Sequence, residues 1–130
     1  MAKSTPKDRL FSEEHEWVKM DKETFMGISD HAQAALGDVV YVELPRVGSE
    51  ISKGSAIGVV ESVKAVSDIY APLSGKVVAV NQKVIEHPEV INQDPYGEGW
   101  LLKIEPSDEH ESKSLLSPED YENLLAKEAH

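Results

Sequence analysis

Lys64 is the side chain whose setting, more than its type, points to chemistry. It lies in the run Gly58-Val59-Val60-Glu61-Ser62-Val63-Lys64-Ala65-Val66-Ser67-Asp68-Ile69. Apolar-rich sequence flanks it on both sides, and Pro72 and Ser74-Gly75 punctuate the downstream arm. This pattern predicts a β-hairpin carrying one lysine at or near its tip. A primary amine on a stiff projection suits attachment of a prosthetic arm by a ligase. The chemistry would then take place on the arm, and the chain would be a carrier. Most lysines are simply solvated, so the surrounding sequence must supply the rest of the case.

Other reactive combinations are missing. The chain has no cysteine, which excludes a disulfide framework, a cysteine-based zinc site and a cysteine nucleophile. His15-Glu16-Trp17-Val18-Lys19 lacks the second histidine of a zinc-protease helix. His87, His110 and His130 show no ligand spacing, so no metal site is expected. Gly48, Gly54 and Gly58 fit neither nucleotide signature. No nucleophile–base pair can be assembled, which argues against an autonomous enzyme. Trp17 and Trp100 have no basic patch beside them and read as core or sheet-face aromatics.

The elements that must position Lys64 read as mainly β. At 130 residues the chain is one domain with appendages. Residues 1–13 read as a flexible polar arm, 14–116 as the β domain and 117–130 as a C-terminal helix packed on it. Strands are predicted at Glu16–Met20 and Glu23–Ile28, then a short helix from His31 to Leu36 capped by Ser29 or Asp30 and ended by Gly37. Asp38–Leu44 is rich in β-branched residues and stops at Pro45. Further strands are predicted at Glu50-Ile51, Ala56–Ser62, Val66–Ala71, Lys76–Asn81 and Trp100–Glu105, with a helical turn at His87–Asn92. Many short strands with Gly and Pro turns imply a sandwich or barrel. Ser117-Pro118-Glu119-Asp120 signals a helix start, and the helix should run to near Lys127.

The net charge is −11, and residues 105–130 hold eight carboxylates against Lys113 and Lys127. Such a surface repels nucleic acid and anionic membranes, keeps the chain soluble and steers basic partners. No apolar run approaches the roughly 20 residues of a membrane span. Met1 to Arg9 is polar and has no secretory signal pattern, so a cytoplasmic location is expected, or the mitochondrial matrix for a processed eukaryotic chain.

The spacing of Gly48, Gly54, Lys64 and Ala71-Pro72-Leu73-Ser74-Gly75 resembles the lipoyl and biotinyl carrier modules. Those modules imply a barrel-sandwich hybrid. Biotinyl sites place methionine on both sides of the lysine; Val63 and Ala65 stand here, and Glu61 also matches the lipoyl pattern. Lipoyl domains of 2-oxoacid dehydrogenases usually have Asp directly before the lysine, where this chain has Val63. Glu61-Ser62-Val63-Lys64-Ala65 is instead similar to the glycine cleavage H-protein family. His15-Glu16-Trp17-Val18, Gly27 to Gln33, Leu36 to Val40, Val42-Glu43-Leu44-Pro45, and Ile91-Asn92 with Pro95-Tyr96 and Gly99-Trp100 carry the likeness over nearly the whole chain.

The resemblance implies lipoate in amide linkage on Lys64 and no side-chain catalysis by this chain. It implies a pyridoxal-phosphate glycine decarboxylase that loads an aminomethyl group, a tetrahydrofolate-dependent aminomethyltransferase that removes it, and a dihydrolipoamide dehydrogenase that reoxidises the dithiol. Lipoate-attaching enzymes complete the partner set. It also implies a surface cleft that shelters the loaded arm, whose cationic amine should seek a carboxylate. Glu16 and Asp68 are candidates for that cleft, with Glu14 and His31 beside them. Glu16→Ala is expected to shorten the life of the loaded state without blocking lipoylation. Two other jobs remain open on the sequence alone: a lipoyl relay or accessory carrier in lipoate transfer, and an unmodified acidic interaction module.

Overall fold

The computed structural model describes residues 5–128. Among the described residues, nine strands fall into two sheets. They are β1 (Leu10–Phe11), β2 (Glu16–Met20), β3 (Thr24–Ile28), β4 (Val39–Glu43), β5 (Glu50–Ile51), β6 (Ala56–Ser62), β7 (Val66–Tyr70), β8 (Gly75–Val80) and β9 (Leu102–Pro106). The larger sheet runs β1-β2-β3-β9-β8-β5 and the smaller β4-β6-β7. Every strand pair is antiparallel, as short strands joined by tight turns allow. The architecture is the mainly β, two-sheet sandwich that the glycine and proline punctuation implies.

Apolar residues from both sheets fill the space between them. Val18 and Met26 from one side meet Val60 and Ile69 from the other, with Leu73, Val77, Ile91 and Leu102 closing the layer. In β8 burial alternates from Gly75 to Val78, the period of a strand with one wet face. In β2 it does not: Glu16, Trp17 and Val18 are all buried. The outer face of β2 is covered by a second cluster, Phe11, Trp17 and Tyr121.

Among the described residues, three α-helices connect strands, α1 (Asp30–Leu36), α2 (Gln82–Glu86) and α3 (Val90–Gln93), and a fourth, α4 (Pro118–Glu128), follows the last strand. Ser29 caps α1 by accepting the Ala32 N–H at 3.1 Å. Gly37, at φ 83°, ends it in a conformation that side chains disfavour. Helix α4 begins at the proline and reaches Glu128. Its Tyr121 stacks flat on Phe11, with ring centroids 4.3 Å apart. The apolar face of this helix, Tyr121 with Leu124 and Leu125, thus packs on the aromatic cluster.

The segment expected to be a flexible arm is ordered over much of its length. Residues 1–4 lie outside the described ones, but Leu10 and Phe11 pair with Val18 and Trp17 at the sheet edge. Phe11 is fully buried, and Arg9 lies over the Trp17 ring at 4.6 Å while donating to Tyr96 O at 2.9 Å. An aromatic slot holds this polar-looking stretch, and only the fold assembles that slot. Helix α2 and a 3₁₀ turn at Glu109–Ser114 are also additions to the predicted elements. The turn expected at His87–Asn92 becomes helix α3, three residues later at its start.

Candidate functional site

Lys64 occupies an exposed position in the link between β6 and β7. Glu61 pairs with Val66, and Ser62 N–H donates to Ala65 O at 2.8 Å, leaving Val63 and Lys64 as a two-residue loop. Such loops favour turns with positive φ. Among the described residues His15 is the one non-glycine with positive φ, so neither loop residue adopts that geometry. The Ser62 hydroxyl supplies the missing closure. Its oxygen accepts from Ala65 N at 3.0 Å and Lys64 N at 3.3 Å.

The tip is also tied from behind. Val63 N–H donates to Asp38 O at 3.0 Å. On either side of Asp38, Asn92 fixes the chain: its Nδ2 donates to Gly37 O and its Oδ1 accepts from Val39 N, each at 2.9 Å. The same amide donates to Gln33 Oε1 at 2.9 Å. The Lys64 stem passes Gly37 closely, with Cε 3.4 Å from where a Cβ would stand. Val63 and Val66 are 70% and 66% exposed, so the lysine is framed by apolar surface.

Beside this hairpin lies a cleft of about 270 Å³ between α1, the loop before β2 and the edge strand β7. Ile28, Val60 and Ile69 form its buried apolar side, and Ala32 and Leu36 line it from α1. Glu14, Glu16, His31 and Asp68, the four residues singled out from the sequence, all line this one cleft. Glu14, His31 and Asp68 are exposed, whereas Glu16 is 2% exposed.

The burial of Glu16 has a structural cause. Strand β7 is an edge, and its Tyr70 N–H donates to Glu16 Oε2 at 3.1 Å instead of to another strand. Ser12 O–H donates to Glu16 Oε1 at 2.6 Å, and Glu16 N–H donates back to Ser12 Oγ at 3.0 Å. One carboxylate thus joins the two sheets. Burial pushes the Glu16 carboxyl up to about 7, against the opposing pull of the Ser12 and Tyr70 hydrogen bonds. This bears on Glu16→Ala. The change would unpair Tyr70 N–H and Ser12 as well as remove a cleft charge, so its effect reaches the fold.

At the cleft mouth His15 sits at φ 70°, a conformation that costs a non-glycine residue about 1 kcal/mol or more. Its Nδ1 is 2.8 Å from Tyr121 Oη, which is 2.7 Å from Ser29 Oγ. Its Nε2 is 3.2 Å from Glu128 Oε1, and the His31 ring lies against it with centroids 4.7 Å apart. Burial pushes the His15 imidazole below its ordinary pKa and the neighbouring His31 adds to this, while Glu128 opposes both. Burial also raises the Tyr121 phenol.

Sequence reading gave Ser12 and Glu128 no role, and gave His15 and Tyr121 none at the cleft. His15, Tyr121 and Glu128 act through partners far along the chain, His15 and Tyr121 being 106 positions apart, and the Ser12 pairing with Glu16 forms only once Glu16 is buried. Asn92 stood in a recognised block without a role. Its side chain bridges α1 and β4 from α3, a geometry no local pattern announces.

The family model described as Glycine cleavage H-protein matches residues 9–128. The chain is 60% identical over 124 residues to a glycine cleavage system H protein from Carboxydothermus hydrogenoformans, covering 95% of each. It is 56% identical over 123 residues to the protein of that name from Listeria monocytogenes, covering 94% of this chain and 98% of the relative. The crystal structure of a glycine cleavage system H protein from Mycobacterium marinum superposes with a TM-score of 0.87 at 39% identity, covering 93% of this chain and 98% of that one. No helix among the described residues is long and apolar enough to cross a membrane.

Proposed function

The chain belongs to the glycine cleavage H-protein family, and from that premise we propose that it is the lipoyl carrier of a glycine cleavage system, with Lys64 as its attachment point. The observation that carries the reading is an exposed lysine amine on a hairpin braced by Ser62, Asp38 and Asn92, next to a cleft lined by carboxylates. The residues fit the group. The Lys64 amine is accessible for acylation, and the apolar side of the cleft suits an alkyl chain. When bound, the lipoyl group supplies a cyclic disulfide that takes up the aminomethyl unit of glycine and is regenerated by oxidation.

This chain's own part is presentation and shelter. Acylation converts the Lys64 ammonium to a neutral amide. The braced tip offers one geometry to several enzymes in turn: the ligase, the decarboxylase, the aminomethyltransferase and the dihydrolipoamide dehydrogenase. The exposed Val63 and Val66 give those enzymes an apolar surface beside the lysine. A cationic amine entering the cleft meets Asp68 and Glu14 at the rim and Glu16 on the buried side, and His31 flanks the approach. An ammonium near Glu16 favours its ionised form and so offsets the desolvation that raises its pKa. The relay and unmodified-module readings draw no support from the family membership.

The test is the mass of the Lys64-containing peptide from protein made in its native host. A lipoyl increment is expected on Lys64 and none on Lys64→Arg, which should unfold at an unchanged temperature because the side chain is exposed. An unmodified Lys64 in cells that make lipoate, or a retained increment in the arginine variant, would defeat the proposal. Reconstitution with the glycine decarboxylase and the aminomethyltransferase then separates a glycine cleavage carrier from a relay.

A further inference from the structure

His15, His31 and Glu128 come from three separate elements: the loop before β2, the start of α1 and the end of α4. One donor atom of each lies within 4.8 Å of the other two. Glu128 Oε1 is 3.2 Å from His15 Nε2 and 3.9 Å from His31 Nε2. From these residues we infer that the chain holds a divalent transition-metal site of the zinc class, with His15 Nε2, His31 Nε2 and Glu128 as protein ligands and a fourth position open to solvent. The inference does not depend on the carrier reading: it uses neither Lys64 nor its arm, although His15 and His31 also line the cleft.

Donor spacing supports this chemistry. Tetrahedral zinc with bonds of about 2.0–2.1 Å holds adjacent donors about 3.3 Å apart. The His15–Glu128 pair is already there, and the His31 side chain, 44% exposed, has room to turn inward. Two imidazoles and a carboxylate form a borderline donor set, suited to Zn²⁺ and neighbouring transition ions rather than to Ca²⁺ or Mg²⁺.

The outer contacts of His15 are those a ligating imidazole needs. A metal-bound histidine donates its other ring N–H to a fixed acceptor. Nδ1 faces Tyr121 Oη, and Tyr121 faces Ser29 Oγ. With a metal on Nε2, Nδ1–H donates to Tyr121 Oη and the phenol O–H donates to Ser29 Oγ. Ser29 Oγ then uses one lone pair for Tyr121 and the other for the Ala32 N–H. Without metal the order reverses: Tyr121 O–H donates to Nδ1, and Nε2–H donates to Glu128. The relay serves either tautomer because both hydroxyls can donate or accept. Occupancy would pin the end of α4 to α1 and the β2 loop at the cleft mouth, since His15 and His31 both line that cleft.

The experiment uses full-length, untagged, unlipoylated protein and Zn²⁺ alone, titrated by calorimetry near neutral pH, with Co²⁺ absorption as a second readout. One equivalent per chain is expected, along with tetrahedral Co²⁺ bands and a rise in unfolding temperature with added Zn²⁺. His31→Ala and Glu128→Ala should each weaken binding at least about tenfold and abolish the Co²⁺ bands, by loss of a direct ligand. His110→Ala should bind as the parent does. Both ligand positions are partly exposed, so the metal-free unfolding temperature of each variant serves as a folding control. No saturable binding, or binding that is equally tight in both ligand variants, overturns the inference.

Discussion

Replacing Glu16 by glutamine should make the protein less sensitive to rising pH. The carboxyl is buried between the sheets, and its pKa rises from 4.5 to about 7. In the unfolded chain it returns to the ordinary value, so above pH 4.5 the unfolded state releases a proton that the folded state retains. Stability from this group is therefore complete below pH 4.5 and is lost as pH climbs through 7. At about 1.4 kcal/mol per pKa unit the full loss is about 3 kcal/mol, and about 2–3 kcal/mol of it falls between pH 5 and pH 8. Glutamine cannot ionise, yet its carbonyl can still accept from Tyr70 N–H, and its amide can donate to Ser12 Oγ. Urea unfolding of both proteins across that range should give a difference curve favouring glutamine progressively, and flattening above pH 7. The comparison must be a difference, because His15 acts in the opposite sense. Its folded pKa is depressed by burial, so its contribution is lost as pH falls below the unfolded imidazole value. Parallel curves for the two proteins would refute the desolvation account of Glu16.

Ser62→Ala should cost about 0.5–1 kcal/mol, because two exposed backbone N–H groups lose their acceptor; faster amide exchange at Lys64 and Ala65 is the direct readout, and unchanged exchange would show that the tip is stiff for another reason. Gly37→Ala should cost about 1–3 kcal/mol, since φ 83° with ψ −159° is a glycine conformation; denaturant unfolding measures it, and a neutral result would mean that the end of α1 relaxes freely. Tyr121→Phe keeps the stack on Phe11 but leaves Ser29 and His15 without the phenol, for a loss of about 1–2 kcal/mol by the same assay. An unchanged midpoint there would place the worth of Tyr121 in its ring alone.

How much of this was legible depended on the reach of each interaction. The lysine hairpin was readable because its signals are local: β-branched arms on both sides of the lysine, and Pro and Gly beyond them. Strands β2, β3 and β6 and helix α4 fall on or within a residue of the predicted spans for the same reason. The N-terminal stretch was not readable. A strand of two residues has no periodicity, and Arg9 looks like any surface charge until Trp17 and Tyr96 come together around it. Helix α2 spans five residues and buries only Val84, too little apolar face to register as a stripe.

The residues named for the cleft expose a different limit. Sequence could propose Glu14, Glu16, His31 and Asp68 as neighbours, but could not rank their burial. Only the two-sheet arrangement makes Glu16 the acceptor for the edge strand, because the Tyr70 N–H has no strand partner on that side. That position binds two requirements to one carboxylate. A hairpin braced at the tip must still be anchored at its base, and Glu16 provides the anchor at Tyr70. A cleft that receives a cation needs negative charge away from bulk water, and the same burial that secures the anchor keeps Glu16 partly protonated at pH 7. A cation that reaches the cleft would tip Glu16 toward its ionised form, while an empty cleft leaves the anchor neutral for part of the time. Cation docking in this cleft would therefore be coupled to hairpin anchoring through one proton, and the Glu16→Gln protein, which cannot lose that proton, should keep the anchor and lose the coupling.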